Sequence, residues 1–158
     1  MKLIFGCSDK LAKIAAKRLV DVLGPEGFGP CQAIGVATGD GPEDKLLAVC
    51  IYNAYIPQHA TCQISIVSWH PSWAKKGIIR ALLSVPFEQY GVKKLWSTIA
   101  SDNARSLKFN LGIGFKKEAT LCHQFGKNRH AVITYMMDKT FKQIYPLVDK
   151  DAYLLKDI

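Results

Sequence analysis

Trp69-His70-Pro71-Ser72-Trp73-Ala74-Lys75-Lys76-Gly77-Ile78-Ile79-Arg80-Ala81-Leu82-Leu83 is the stretch that decides how this chain reads. An apolar run ends there in a basic, glycine-bearing turn, and the turn opens a helix whose Ile78, Ala81, Leu82 and Val85 recur at helical spacing. The first-turn N–H groups of a helix have no intrahelical partner, and the summed peptide dipoles place about half a positive charge there. Lys75 and Lys76 add charge at the entrance, and Gly77 lets a backbone come close to a guest. Two readings are open on these residues alone: an ordinary strand-to-helix connection, or an anion site suited to phosphate.

Upstream, residues 8–23 read as an amphipathic helix capped by Ser8 or Asp9 and closed by Gly24-Pro25, with Leu11, Ile14, Ala15, Leu19 and Val22 on one face. Runs 33–38 and 46–52 read as strands joined by the turn 39–44, hence an antiparallel hairpin. The next strand is 61–69. Downstream, a helix at 77–90 leads to a strand at 94–99, a short helix at 103–111 closed by Gly112 and Gly114, and two strands, 118–125 and 131–137, around the turn 126–129. This order predicts a mixed α/β sheet, locally parallel where strands alternate with helices. The domain is expected to span 1–138. The tail 139–158, with Phe141, Ile144, Tyr145 and Leu147, is too apolar for a free linker and is expected to pack on the body or a partner.

The 158 residues suit one domain, 49% hydrophobic and 22% charged, with neither repeats nor low-complexity tracts. No apolar run is long enough to cross a bilayer and the N-terminus lacks a signal-peptide core, so the expected location is the cytoplasm, with no membrane partner. The five cysteines form no C-x-x-C pair, and neither a disulfide framework nor a metal site is indicated. A formal charge of +8 attracts anions, whether a phosphorylated cofactor, nucleic acid or an acidic protein surface.

The segment Trp69 to Leu83 resembles the GNAT superfamily of N-acetyltransferases, in which a strand ending near Val-His-Pro-x-Tyr leads into a Q/R-x-x-G-x-G/A loop and a helix. A second similarity lies in Asp102-Asn103-Ala104-Arg105-Ser106 followed by Leu111-Gly112-Ile113-Gly114-Phe115. Residues 46–137 are also similar to small GNAT-like proteins of tailed phages and prophages, which would place the chain in a bacterial host's cytoplasm. The resemblance implies a mostly antiparallel sheet with splayed central parallel strands flanked by helices, and acetyl-coenzyme A as cosubstrate without a metal. It assigns cofactor binding to Val67, Trp69, Ala74, Lys75, Lys76, Gly77, Ile78, Ile79 and Asn103. Asn103 equally fits a helix N-cap.

The chain departs from the family pattern at four places. Ala74 stands for the leading Gln or Arg, and Ile79 sets a β-branched side chain where a small residue faces the phosphates. Asn110 falls where the family often has a tyrosine acid, and Gln63 and Ser65 lie where an acidic residue is common. By that resemblance an amine attacks the thioester directly, with His70, His59 or a water held by Gln63 and Ser65 as base. His70, before Pro71, reads equally as a turn residue. Tyr52, Asn53 and Tyr55 are expected to touch the acceptor, or to be ordinary strand residues. The competing readings are a nucleic-acid-modifying or nucleic-acid-binding protein, and a catalytically silent module that binds coenzyme A or a partner. A monomer or a homodimer fits either.

Overall fold

The structure, a computed structural model, describes residues 1–39 and 44–146. Its seven strands are β1 (Lys2–Ile4), β2 (Cys31–Ala37), β3 (Leu46–Ile56), β4 (Thr61–Ser68), β5 (Lys94–Ala100), β6 (Lys116–Leu121) and β7 (Ala131–Met137). The helices are α1 (Ser8–Ala16), α2 (Lys76–Ser84), α3 (Ala104–Gly112) and α4 (Asp138–Ile144). They form one sheet in the order β1-β2-β3-β4-β5-β7-β6, antiparallel at every junction except β4–β5. Short turns suffice for the β2–β3–β4 meander, whereas parallel β5 requires a crossover, which α2 and the π-turn Val85–Gln89 supply.

Both faces of the sheet are covered, so β3 reads as an unbroken apolar run rather than an alternation. Its Ala48, Cys50 and Tyr52 join a large core with Ile79, Leu82 and Leu83 of α2, Phe87 of the π-turn and Phe141 of α4. Its Val49 and Ile51 point the other way, toward Leu11 and Ala15 of α1. Removing a side chain such as Leu82 from water contributes about 1.5–3 kcal/mol, so the apolar stripe of α2 fixes that helix over the sheet. α3 lies on the same face, where Phe109 meets Trp73 with ring centroids 5.3 Å apart.

The mixed sheet, the hairpins and the parallel step follow the sequence reading. β1 and both ends of α1 differ from it, and β6 runs Lys116–Leu121 where a strand over 118–125 is expected. β1, three residues long, carries too little pattern to be read from sequence and pairs with β2 as an edge strand. α1 stops at Ala16, where i→i+3 bonds from Arg18 to Ala15 and from Leu19 to Ala16 tighten the chain into turns. Leu19 and Val22 keep their helical spacing but line a cavity instead of continuing the helix. Ser8 does not cap α1: the N-cap is Cys7, and the Ser8 hydroxyl accepts the Ala33 N–H at 2.9 Å, tying the helix start to β2.

In the tail, α4 buries Phe141 against Phe87, and the Tyr145 hydroxyl donates to the Ile113 carbonyl at 2.8 Å. Residues 147–158 and most of the turn expected at 39–44 lie outside the described residues. Among the described residues no helix is long and apolar enough to cross a membrane.

Candidate functional site

The parallel strands β4 and β5 stay paired over only three residues, Thr61↔Lys94, Cys62↔Leu95 and Gln63↔Trp96. Beyond Gln63, β4 follows β3 as far as Ser68, while β5 follows β7 as far as Ala100. The two strands therefore diverge, and the edges facing each other carry backbone N–H and C=O groups that no strand pairs. A cavity of about 580 Å³ occupies the fork. Gln63 to Ile66 form one wall and Trp96 to Ala100 the other, with α3 contributing Asn103, Ser106 and Asn110 on the face of α2. Residues of the loop after α1, between Arg18 and Leu23 and at Gly27 and Phe28, and Phe125 and Arg129 of the β6–β7 loop also belong to the lining. Such a crevice at the carboxyl ends of neighbouring strands is where open α/β sheets take ligands.

The N-terminus of α2 follows directly from β4 through a 3₁₀ turn, Pro71–Trp73. Lys75 is its N-cap, in extended conformation and without a side-chain cap, and the first intrahelical bond runs from Ile79 N–H to the Lys75 carbonyl at 2.9 Å. The N–H groups of Lys76, Gly77 and Ile78 are thus the open donors of this helix start. Gly77 has no positive φ, and a Cβ built on it would meet nothing within 4 Å. Neither backbone strain nor internal packing requires glycine here, which leaves the open space before the helix as its physical consequence. The crowding expected from Ile79 does not arise, because that side chain turns into the core with 8% exposure. Ile78 packs partly against the same core.

His70 caps the 3₁₀ turn. Its Nδ1 accepts the Ser72 N–H at 3.1 Å and lies 2.7 Å from the Ser72 hydroxyl, and the residue is absent from the cavity lining. His59 sits exposed in the β3–β4 turn. Trp69 is 37% exposed, with the Arg18 guanidinium 5.9 Å from its ring centroid. Val67 points into the α1-side core, so any contact it makes in the fork comes from its backbone. Asn103 lines the cavity and also caps α3, its side-chain oxygen accepting the Ser106 N–H at 3.2 Å.

The three residues expected to touch an acceptor separate. Tyr52 is a core residue: it is 2% exposed and its hydroxyl donates to the Leu82 carbonyl at 2.6 Å, because even-numbered positions of β3 face α2. Burial pushes its phenol well above the usual tyrosine range. Tyr55 stacks on Tyr90 away from the cavity, donating to that residue's carbonyl at 3.1 Å. Asn53 alone of the three lines the cavity.

A polar network that joins Ser97 of the lining to Thr134 behind it was silent in the sequence. Ser97 of β5 and Thr134 of β7, both buried, share a 2.7 Å hydrogen bond, and Ser97 donates to the Asn110 side-chain oxygen at 3.0 Å. The Asn110 amide nitrogen donates to the Ser106 carbonyl at 3.0 Å, so the residue knits α3 to the sheet. A serine and a threonine in two apolar runs give no periodic signal, and only the strand pairing Ser97↔Thr134 brings them together. The ionisable groups of the lining are Arg18, Asp21 and Arg129, whose Nε lies 3.0 Å from the Asp102 carboxylate. Cys50 and Cys62 are poor nucleophiles, since burial pushes their thiols up to about 12 and about 11.

No family model matches the chain, and no curated protein matches it. Among solved structures it is similar to a point mutant of spermidine N-acetyltransferase SpeG from Vibrio cholerae, at 14% identity and a TM-score of 0.68 over 89% of this chain and 97% of that one. The spermidine/spermine N-acetyltransferase SpeG from Vibrio cholerae in complex with manganese ions is 17% identical, with a TM-score of 0.58 over 87% of this chain and 78% of that one. Among the described residues of this chain, no three His, Cys, Asp or Glu side chains come together as a metal site. The forked seven-stranded sheet, its flanking helices and these likenesses show that the chain has the fold of the GNAT N-acetyltransferases.

Proposed function

We propose that this protein is an acetyl-coenzyme-A-dependent N-acetyltransferase. The observation that carries the reading is the β4–β5 fork, with an uncapped helix N-terminus following the end of β4 through one short turn. The free edge of β4 from Ile64 to Ser68 offers backbone groups to the pantetheine amides, as a missing strand would. The N–H groups of Lys76, Gly77 and Ile78, with Lys75 at the entrance, suit the pyrophosphate. Ala74, in place of a longer polar residue, leaves that contact to the backbone. Asn103 at the mouth of α3 reaches the cofactor arm with its amide nitrogen while its oxygen caps the helix.

The amine nitrogen attacks the thioester carbonyl carbon and forms a C–N bond, and the carbonyl oxygen takes the electron pair as an oxyanion. A backbone N–H on the free edge of β4 donates to that oxyanion. The C–S bond then breaks and the pair leaves on sulfur. Gln63 and Ser65, both lining the fork, hold the water that removes the amine's proton. Asn110 has no acidic proton to give and is fully engaged with Ser97 and Ser106. The leaving thiolate therefore takes its proton from solvent, which the ordinary pKa of a simple thiol, about 8.5, permits near neutral pH. The sequence resemblance to phage GNAT-like proteins supports an infected or lysogenic bacterial cytoplasm as the setting of this activity.

Calorimetric titration with acetyl-coenzyme A and desulfo-coenzyme A tests the reading. Micromolar binding is expected, weakened by about 2–4 kcal/mol in Gly77→Glu through lost charge-assisted hydrogen bonds and added repulsion. Absence of binding at millimolar ligand would leave the fold as a scaffold without this activity.

A further inference from the structure

The excess positive charge of this chain is confined to one part of the fold. Residues 1–68 carry six Lys or Arg against six Asp or Glu, and residues 138–158 carry four against four. Residues 69–137, from just after β4 to the end of β7, carry eleven against three, which is the whole of the net +8. All three carboxylates of that segment are already paired. Glu88 lies 2.9 Å from Arg80, Glu118 2.7 Å from Lys94 and Asp102 3.0 Å from Arg129, while Lys93 lies 3.2 Å from Asp138. Lys75 and Lys76 stand at the start of α2, in the proposed cofactor cradle. Arg105, Lys108, Lys116, Lys117 and Lys127 are left, all exposed and, among the described residues, in no ion pair.

These five are scattered in the sequence and neighbours in the fold. On α3, Phe109 packs against Trp73 and Asn110 bonds Ser97, so the sheet holds that side of the helix and Arg105 and Lys108 are left facing solvent. Lys117 stands opposite Thr134 in the β6–β7 ladder, on the face where Thr134 meets Asn110, and Lys116 precedes it on the free edge of the sheet. The Arg129–Asp102 bridge ties the turn that holds Lys127 to the residues before α3, and beside it the Ser101 hydroxyl accepts the His130 N–H at 3.0 Å. One cationic surface therefore runs over α3, β6 and the β6–β7 loop. β6 alone spans about 20 Å at the rise of a strand.

The chemistry of this surface selects its partner. A duplex carries one phosphate per about 1.7 Å of axis, so about 20 Å of it presents about a dozen negative charges, which flexible lysines reach without a fixed geometry. The cores of protein interfaces are apolar and poor in lysine, whereas the large apolar side chains exposed on these elements are Leu111 and Leu121, one on α3 and one on β6. Two leucines on separate elements do not make the apolar stripe with which a helix enters a lipid surface. Among the described residues of α3, β6 and the loop, no Phe, Tyr or Trp is exposed, so unpaired bases find no stacking platform.

We infer that the face formed by α3, β6 and the β6–β7 loop binds the sugar-phosphate backbone of a nucleic-acid duplex without reading its sequence. Charge placement carries this inference, and it does not depend on the acetyltransferase reading. The experiment is fluorescence anisotropy with a labelled DNA duplex of about 20 base pairs and the matching RNA duplex, at salt from about 50 to about 200 mM, with polyglutamate as a competing polyanion. Binding is expected to be micromolar or tighter at the lowest salt, with a log–log salt slope of about −4 for DNA, as four or five neutralised phosphates require. Unrelated duplex sequences are expected to agree within about twofold, since backbone contacts carry no sequence information. The tighter of the DNA and RNA duplexes identifies the source of the backbone.

Arg105→Gln with Lys108→Gln, and Lys116→Gln with Lys117→Gln, are each expected to weaken the duplex at least fivefold and to flatten the slope by about 2. Lys10→Gln with Lys13→Gln, exposed on α1 across the sheet, is expected to change affinity less than twofold. Thermal melting shows that each variant is folded. Saturating desulfo-coenzyme A is expected to leave duplex affinity within about threefold, because the cofactor covers the start of α2 and not this face. No duplex binding at the lowest salt, an α1 variant as damaging as the other two, displacement by desulfo-coenzyme A, or tighter binding of polyglutamate than of either duplex would each overturn the inference, the last by assigning the face to an acidic protein. Failure of desulfo-coenzyme A to bind sinks the acetyltransferase reading, and the duplex titrations still judge this one.

Discussion

Gln63 and Trp96 form the last rung of the parallel ladder between β4 and β5, and the space beyond that rung is the candidate site. A strand edge left open inside a domain exchanges its amide protons readily unless a ligand fills it. In amide hydrogen exchange, the N–H groups of residues 64–68 that point toward β5 are expected to be unprotected in the free protein and protected at least tenfold with desulfo-coenzyme A. The groups paired with β3 should change little. Equal protection along β4 in the free protein would mean that the fork closes in solution.

Two glycines should behave in opposite ways. Gly77 stands in the first turn of α2 with open space around it, so Gly77→Ala is expected to stabilise the fold by about 0.5–1 kcal/mol while weakening the cofactor. Gly114 has φ +115, and a Cβ there would lie 2.5 Å from Ile144 Cδ1 and 3.0 Å from Met136 Cε. Gly114→Ala is expected to cost about 1–3 kcal/mol, seen as a thermal midpoint lowered by several degrees with cofactor affinity unchanged.

The tail helix is part of the core. Phe141 is 2% exposed, stacks on Phe87 with centroids 4.9 Å apart and carries the Arg80 guanidinium 5.7 Å from its ring centroid. Phe141→Ala is expected to destabilise the protein by about 3–5 kcal/mol in denaturant unfolding, as for a large aromatic removed from a packed interior. A loss under 1 kcal/mol would show that α4 is dispensable.

Stability should fall on the alkaline side. Unfolded thiols ionise from about pH 8.5 and phenols near pH 10. In the folded protein burial holds the protons on Cys50 up to about 12 and on Cys62 up to about 11, and raises Tyr52 as well. Below about pH 8 both states keep these protons and the groups contribute equally. Above it the unfolded chain binds fewer protons than the native one, so stability decreases as pH rises. The urea midpoint is expected to decline between about pH 9 and about pH 11, and Cys50→Ala should flatten that slope. A midpoint that rises with pH in this range would contradict the assignment.

Short-range physics made much of the architecture readable. Helical spacing in α2, turn residues between β2 and β3, and the strand–helix–strand order around α2 gave the mixed sheet, its parallel step and the open helix start at Lys76. The stop of α1 at Ala16 was not legible, because Leu19 and Val22 continue its apolar spacing and their burial in a cavity wall satisfies the same pattern.

The sequence by itself determined most of the strands and helices, though not β1 or the end of α1, and where a basic helix N-terminus follows a strand, since these depend on neighbours a few residues apart. Only the tertiary structure decided which polar side chains meet. Tyr52 and Asn53 are adjacent in the chain, yet the two-residue period of β3 sends one to the core and the other to the cavity. The Ser97–Thr134–Asn110 network and the unpartnered oxygen of Asn53 exist because strand register brings distant residues together, a relation no local pattern encodes.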